Sequence, residues 1–216
     1  MMADSSLIPH PSSLKICAIL PVKPLARAKS RLARALKAPT RAALVRSIFS
    51  RTLDVIAQVQ RIDGVIVVSR DLTILELARQ RNAITLMESE AGLNPAVTQA
   101  AHWAQAHQAQ SVIVIPVDLP LITPADLDAV IDRAVEERCV VIAPDRHEDG
   151  TNVLLVRPPD AIHFAYGASS FNAHRAQAIE RGLSVHEYRS PTAAFDIDVP
   201  DDLAVYRLLD AQAISE

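Results

Sequence analysis

The sequence predicts a single α/β domain with a mainly parallel sheet and helices on both of its faces. Three observations predict this fold. The chain has 216 residues, of which half are apolar and 22% are charged, and this suits one globular domain with a full core. Apolar runs of strand length alternate with helical patterns. The strongest runs are continuous and β-branched, as is typical of strands covered on both faces.

Eight apolar runs have the length and composition of strands. In chain order they are Ile16–Leu20, Val65–Ser69, Ile84–Met87, Val112–Pro116, Val140–Ala143, Val153–Val156, Ser184–Tyr188 and Ala194–Ile197. Their alternation with helices predicts a mainly parallel sheet. The later runs lie closer together in the sequence, which allows an antiparallel pair.

Six segments have helical patterns: Thr40–Gln60, Leu72–Asn82, Pro95–Ala109, Pro124–Glu137, Ser170–Arg181 and Pro200–Ala211. The clearest start is at Thr123, an N-cap residue followed by Pro124 and, three positions on, by Asp126. Gly182 fits the C-terminal end of the fifth helix.

The domain is expected to span residues 15–216. Residues 1–14 have neither a basic region nor a long apolar stretch, so we interpret them as a flexible N-terminal segment. Charges interrupt every long apolar stretch, which excludes a membrane-spanning helix. The two cysteines, Cys17 and Cys139, lie in strand-like runs. They are expected to be buried free thiols, as in a cytoplasmic protein.

The charge of the chain is unevenly distributed. The net charge of −3 predicts no general affinity for nucleic acid. From Lys15 to Arg51, however, there are ten Lys or Arg and no acid. Lys23, Lys29 and Arg31 follow the first strand in this block, and ligands of open α/β sheets bind at the carboxyl ends of strands. They are candidates for binding a triphosphate; the alternative is a solvated basic loop.

Acidic residues follow two of the predicted strands. Asp118 comes directly after an apolar strand. Asp196 and Asp198 would share one face of an extended segment, where like charges repel unless a cation intervenes. Because Mg²⁺ binds through carboxylates and phosphates, all three are candidate Mg²⁺ ligands. The alternatives are a turn or cap role for Asp118 and a polar outer face for the pair.

Two loops combine glycine with hydroxyl side chains. Gly150 and Thr151 precede a strand, and Gly167 and Ser170 lie where a helix begins. Backbone N–H groups at such turns bind phosphate or carboxylate, which makes these loops a candidate second anion site. His147 lies beside the first loop and is a candidate contact to an acidic substrate. Ordinary turns and helix caps would have the same residues.

A third loop, Gly92-Leu93-Asn94, precedes another predicted helix. Its amide side chain and backbone groups are candidates for contacting a base or a ribose, although a capped loop fits equally well. The histidines lack metal-ligand spacing, which argues against a structural zinc site. His174 is interpreted as a surface or core residue.

Six motifs, in this order, resemble the guanylyltransferases of coenzyme F-420 biosynthesis. They are Pro-Val-Lys-Pro-Leu with Ala-Lys-Ser-Arg-Leu, Gly-Leu-Asn, Pro-x-Asp-Leu-Pro-Leu, Gly-Thr-Asn, Phe-x-x-Gly-x-x-Ser-Phe-x-x-His and Phe-Asp-Ile-Asp, and they extend from Ile16 to Leu209. The resemblance implies a single-domain, GT-A-like nucleotidyltransferase fold with a Rossmann-like, mostly parallel mixed sheet. It also implies transfer of GMP from GTP to the phosphate of a small phosphorylated carboxylic acid.

The resemblance implies roles by matching motifs. The Mg²⁺ ligands of the family match Asp118, Asp196 and Asp198. The residues whose backbone groups hold the acid match Thr151, Gly167 and Ser170. The cations that neutralise the triphosphate match Lys23, with Lys29 and Arg31. The nucleoside pocket matches Gly92, Leu93 and Asn94. Lys23 and Asp118 are the expected catalytic residues.

The acceptor in this family is 2-phospho-L-lactate, phosphoenolpyruvate or 3-phospho-D-glycerate. The polar segment Arg146–Asp149 departs from some members, and its donors would suit an acid with a free hydroxyl. The expected order is therefore 3-phospho-D-glycerate, then phosphoenolpyruvate, then 2-phospho-L-lactate. The resemblance further implies a homodimer and transfer of the product to the downstream deazaflavin-building enzyme.

Two other functions stay open at this point. One is a different nucleotidyltransferase of the same fold, acting on molybdenum cofactor or a sugar phosphate. Such enzymes usually have a Gly-rich loop after the first strand, where this chain has Pro and Lys. The other is a non-catalytic nucleotide-binding module.

Overall fold

The computed structural model describes residues 15–26 and 29–213, with side chains up to residue 209. The segment 1–14, which was predicted to be flexible, lies outside the described residues. Of the helices within the described ranges, none is both long enough and apolar enough to cross a membrane.

A seven-stranded sheet forms the centre of the fold. Its strands are β1 Ile16–Val22, β2 Gly64–Ser69, β3 Ile84–Met87, β4 Ser111–Val114, β5 Cys139–Pro144, β6 Thr151–Arg157 and β7 Ser184–Glu187. Their order in the sheet is β3-β2-β1-β4-β6-β5-β7. Strand β6 runs antiparallel to its neighbours β4 and β5, whereas the other pairs are parallel. The predicted mainly parallel sheet is confirmed, and the antiparallel pairing that the later runs allowed is present at β6.

The helices are α1 Ala38–Ile56, α2 Leu72–Arg79, α3 Leu93–Ala106, α4 Pro124–Asp132, α5 Ser170–Glu180, α6 Pro191–Ala194 and α7 Pro200–Ala213, with a 3₁₀ helix at Ser30–Arg34. All six predicted helices are present, although their ends differ by a few residues. Helix α4 begins with the predicted capping box: the Thr123 side chain accepts the Asp126 N–H, and the Asp126 carboxylate accepts the Thr123 N–H.

The eighth predicted strand, Ala194–Ile197, is wrong. Ser190 caps the short helix α6 by accepting the N–H of Ala193, and Pro191 favours the first turn of that helix. Residues 195–198, which follow this helix, belong to no strand of the sheet. The N–H of Ile197 donates to the carbonyl of Asp118 at 3.0 Å, so this segment is tied to the loop after β4.

Helices cover both faces of the sheet, as predicted. In β1, Ala18 and Leu20 belong to a buried cluster with residues of α1, α2 and α4. Cys17 and Ile19 belong to a second cluster with residues of α3 and α5. The two cysteines, Cys17 and Cys139, are buried and free, which confirms that prediction.

The direction of β6 brings distant parts of the chain to one edge of the sheet. The parallel strands β1 to β4 end at this edge. Because β6 is antiparallel to β4, its first residue, Thr151, lies at the same edge, opposite Pro144 at the end of β5. Residues after β4, before β6 and before α5 can therefore contribute to one site.

Candidate active site

A cavity of about 520 Å³ lies at the edge where β1, β2 and β4 end. Seven of the predicted site residues line it: Lys23, Lys29, Arg31, Gly92, Leu93, Asp118 and Asp198. The other six, all within the described part of the chain, lie outside its lining: Asn94, His147, Thr151, Gly167, Ser170 and Asp196. The predicted triphosphate-binding cations and two of the predicted acids thus share one cavity.

Lys29 joins two of the predicted acids. Its Nζ lies 3.1 Å from Oδ2 of Asp118 and 3.2 Å from Oδ1 of Asp198, and its side chain is only 9% exposed. Burial alone would lower the pKa of Lys29, but the charges and hydrogen bonds of the two carboxylates outweigh burial and raise it. An ammonium group therefore occupies the position between these carboxylates.

Asp196 is affected by the negative charges of the same two carboxylates. Burial, together with the charges of Asp118 and Asp198, raises the pKa of Asp196 to about 6. Arg31 offsets part of the charge from the solvent side, since its guanidinium lies 3.1 Å from Asp198 and its side chain is 72% exposed. The negative charges of Asp118 and Asp198 thus act on Asp196, and the place where these three acids lie near one another favours a cation.

The carboxylates of this site offer a divalent ion a partial set of ligands. Within the described residues, there is no ready-made group of three or more His, Cys, Asp or Glu that could hold a metal. Two carboxylates that already share one cation do, however, match the usual Mg²⁺ site, in which one or two carboxylates act together with substrate phosphates. Asp118 and Asp198 fit Mg²⁺ as such a partial ligand set.

Asp202 holds the acidic segment in place. Its carboxylate accepts the backbone N–H groups of Asp198 at 2.7 Å and Val199 at 2.9 Å, where α7 begins. It also pairs with Arg146 at 2.5 Å. Burial would raise the pKa of Asp202, but these hydrogen bonds and the nearby guanidinium lower it. Asp202 was not among the predicted site residues, although an acid in the first turn after Pro200 is the sequence signal that could have found it.

The loop before α3 also lines the cavity. Gly92 has a φ of 137°, a conformation that side-chain-bearing residues rarely adopt. Its N–H donates to Glu88 at 3.0 Å, and Glu88 also pairs with Arg70. The side chain of Asn94 instead forms two bonds to the backbone of Tyr166, at 2.7 and 3.1 Å. Asn94 thus braces the segment before α5, and its amide is already paired with protein atoms.

The two loops with glycine and hydroxyl residues meet where β6 and α5 begin. The Asp149 carboxylate accepts the backbone N–H of Ser169 at 3.1 Å and its hydroxyl at 2.9 Å, and these bonds lower the pKa of Asp149. Thr151 and Ser170 are buried beside this contact, whereas Gly167 is exposed with a φ of 139°. The structure therefore brings the predicted acid-binding loops together.

The polar segment before Gly150 is organised by the protein itself. Asp145 accepts the N–H groups of His147, Asp149 and Gly150 at 3.0 to 3.1 Å. A side chain at Gly150 would collide with the Asp145 carboxylate, since a Cβ there would lie 2.7 Å from Oδ2. No sequence pattern pointed to Asp145, because its partners follow it in an irregular loop.

Comparisons with known proteins identify the family of this chain. The family described as guanylyl transferase CofC-like matches residues 16–209. A phosphoenolpyruvate guanylyltransferase of Sphaerobacter thermophilus is 43% identical over 186 residues, which cover 86% of this chain and 89% of that protein. A 3-phospho-D-glycerate guanylyltransferase of Colwellia psychrerythraea is 32% identical over 198 residues, or 92% and 94% of the two chains.

A solved structure described as a nucleotide-diphospho-sugar transferase of Desulfovibrio desulfuricans shares the fold. Its TM-score is 0.73 at 16% identity, with 90% of this chain and 87% of that chain covered. At this identity the likeness concerns the fold alone, and it confirms the predicted nucleotidyltransferase fold. The match over nearly the whole described domain shows that the chain belongs to the guanylyl transferase CofC-like family of nucleotidyltransferases.

Proposed function

We propose that this protein transfers GMP from GTP to the phosphate of a small phosphorylated carboxylic acid and releases pyrophosphate. The observation that carries the proposal is the pair Asp118 and Asp198, bridged by one buried ammonium group on the wall of a cavity that Lys23 and Arg31 also line. Two carboxylates beside a basic cavity suit a triphosphate together with a divalent cation. The names of the relatives support the same reaction.

Mg²⁺ is the proposed cofactor. Asp118 and Asp198 would hold it together with phosphate oxygens, and Asp196 would add negative charge nearby. When bound, the ion offsets charge on the reacting phosphates and helps to orient them. Lys29 would then leave its place between the carboxylates.

The remaining chemistry needs positioning more than proton transfer. An oxygen of the acceptor phosphate attacks the α-phosphorus of GTP in line, and the bond to pyrophosphate breaks as the new P–O bond forms. No general base is required, because the attacking oxygen is already anionic. Lys23 and Arg31 would compensate the triphosphate charge, while Thr151 and Ser170 would orient the acid.

The polar segment bears on the choice of acceptor. Arg146 is paired with Asp202, Glu148 with Arg189, and Asp149 with Ser169. These side chains are directed to protein partners, so they offer less to a substrate hydroxyl than their sequence suggested. Together with the name of the 43% identical relative, this favours phosphoenolpyruvate. We propose it as first acceptor, ahead of 3-phospho-D-glycerate and 2-phospho-L-lactate.

The proposed product is a guanylylated acid that the downstream deazaflavin-building enzyme of coenzyme F-420 biosynthesis consumes. The homodimer also stays a prediction. The homodimer is tested by measuring the molar mass of the protein in solution by light scattering.

The test is release of pyrophosphate with GTP and Mg²⁺ and each acid separately, with the products identified by mass. We expect a guanylylated product with phosphoenolpyruvate. A matched pair of variants controls the assay. Asp118→Asn should be inactive. Asp128→Asn, which alters an exposed ion pair with Arg61, should remain active. Failure of all three acids would refute the proposal.

The non-catalytic alternative predicts a different result. If Asp196 and Asp198 bind no metal ion, replacing both by Asn only relieves the repulsion at Asp196 and removes the ion pairs of Asp198 with Lys29 and Arg31. It would leave every GTP- or Mg²⁺-dependent property unchanged. A loss of those properties in the double variant would support the enzyme.

A further inference from the structure

His174 is a buried residue of α5 that joins two parts of the proposed acid site. It is 0% exposed, and both nitrogens of its ring have hydrogen-bond partners. The backbone N–H of Ala165 donates to Nε2 at 2.9 Å. Nδ1 lies 3.0 Å from the hydroxyl oxygen of Thr151, the first residue of β6.

These two contacts determine the tautomer of the ring. A backbone N–H can only donate, so Nε2 must offer its lone pair to Ala165. The single proton of a neutral imidazole is then on Nδ1, which donates it to the Thr151 oxygen. A charged ring would also have a hydrogen on Nε2, and this N–H would then face the backbone N–H of Ala165. Burial also favours the neutral ring, because it lowers the pKa of His174 to about 4.

The tautomer in turn directs the Thr151 hydroxyl. A hydroxyl has one proton and two lone pairs, and His174 occupies a lone pair. Among the residues that the structure describes, the Thr151 hydroxyl forms no other hydrogen bond. Its proton is therefore free to be donated to an anion.

We propose that His174 is a positioning residue that keeps the Thr151 hydroxyl oriented as a hydrogen-bond donor to the phosphorylated acid. This inference rests on the proposed function, in which Thr151 contacts that acid. The same ring anchors Ala165, just before the segment that Asn94 braces through Tyr166. One imidazole thus links the start of β6 to the turn before α5.

Two amide variants separate the two bonds of the ring. The amide of Asn can take the place of Nδ1, so His174→Asn retains a donor to Thr151. The amide of Gln can take the place of Nε2, so His174→Gln retains the bond to Ala165 and loses that donor. We expect His174→Gln to raise the KM for the acid about tenfold, with the KM for GTP unchanged. His174→Asn should stay within about threefold of the wild type.

A double-mutant cycle distinguishes this role from simple packing. Thr151→Val removes the hydroxyl, so the effect of His174→Gln on the KM for the acid should vanish in that background. Thr151→Ser, which keeps a hydroxyl, should restore the effect. His102→Gln, an exposed position of α3, is the matched control and should change nothing. Additive effects, or equal changes in both KM values, would overturn the proposal.

The tautomer can be measured without substrate, which keeps the test decisive if a variant fails to fold. The ¹⁵N shifts of the His174 ring in the wild-type protein should show a protonated Nδ1 and an unprotonated Nε2 at neutral pH. A protonated Nε2 would overturn the role of His174. A wild-type protein with the expected tautomer that guanylylates none of the three acids would instead refute the proposed function.

Discussion

Lys29 holds a position that a metal ion would also favour. Its ammonium group lies between Asp118 and Asp198, is almost buried, and has a raised pKa. A cation of the protein thus stabilises carboxylates that would otherwise repel each other. A divalent ion at the proposed site would therefore compete with Lys29 for the carboxylate oxygens of Asp118 and Asp198.

Lys29→Met should therefore tighten metal binding to the nucleotide-free protein. With the ammonium removed, Mn²⁺ should bind about tenfold more tightly, because the carboxylates no longer have a competing cation. The measurement is the free Mn²⁺ signal by electron paramagnetic resonance. Arg34→Met, at an exposed position of the 3₁₀ helix, is the control. Equal or weaker binding in the Lys29 variant would contradict the competition.

The acids and the peripheral cations should differ in their effect on catalysis. Asp118→Asn should lower kcat/KM by at least about 100-fold, because it removes a proposed ligand of the ion that compensates the reacting phosphates. Arg31→Ala should cost less than about tenfold, since an exposed ion pair is screened by solvent. Steady-state kinetics with GTP decide this. Equal losses would argue against a metal at Asp118.

His174 should also make stability depend on pH. Its pKa is lowered to about 4 in the fold, against about 6.5 in an unfolded chain. The contribution of the neutral His174 ring to the free energy of unfolding is therefore complete above pH 6.5 and is lost as the pH falls from 6.5 to 4. Between pH 7 and pH 5, the wild type should lose about 2 kcal/mol more unfolding free energy than His174→Gln.

Urea unfolding at the two pH values measures this difference. His102→Gln is the control, because His102 is exposed on α3 and its loss should leave the pH dependence of the wild type unchanged. Identical pH dependence in the wild type and His174→Gln would show that the ring is not buried in the neutral form.

At the scale of elements, α4 secures the chain that leads to the acidic segment. Asp126, which is 3% exposed, accepts hydrogen bonds from Thr123 within the capping box and from Tyr188, Ser190 and Thr192 just before and within α6. Burial would raise the pKa of Asp126, but these bonds outweigh it and lower the pKa. A residue predicted from a helix-cap pattern thus also fixes a distant segment.

Asp126→Ala should destabilise the protein by roughly 3 kcal/mol, because it removes the cap and leaves several half-buried donors without their acceptor. Asp128→Ala lies two residues further along α4 and removes an exposed ion pair with Arg61, so it should cost less than about 1 kcal/mol. Chemical denaturation compares the two. Similar losses would mean that the cluster around Asp126 adds little beyond the surface pair.

At the scale of the whole molecule, the stability of the fold and the proposed chemistry should depend on different interactions. The two large buried clusters on either side of the sheet are apolar, and burial of such surface is the main stabilising contribution to folding. The charged groups of the candidate site lie at one edge of the sheet. The proposed divalent ion would bind at this edge, apart from the apolar core.

Chelation should therefore abolish activity without unfolding the protein. With excess EDTA we expect no pyrophosphate release above background, while the far-UV circular dichroism and the Tm stay at their wild-type values. Added Mg²⁺ should restore the rate. Full activity in EDTA would refute the requirement for a divalent ion, and a large fall in Tm would give the metal a structural role.

Much of the architecture follows from local patterns. Continuous β-branched runs predicted the strands, and the Thr123 capping box predicted the start of α4, because strand burial and helix capping depend on neighbouring residues. The eighth strand failed because the extended segment after α6 pairs with the loop after β4 and joins no strand ladder. An apolar run does not reveal such a long-range partner.

The sequence by itself determined the α/β fold, its family and the residue types of the site, since motif order and hydrophobic periodicity are properties of the chain. Only the tertiary structure decided which groups meet. Because β6 is antiparallel to β4, Thr151 lies at the edge of the sheet where Asp118 lies. The packing of α5 then buries His174 against Thr151. The bridge from Lys29 to Asp198 spans 169 positions. Such contacts depend on how strands pair and helices pack, which no local spacing encodes.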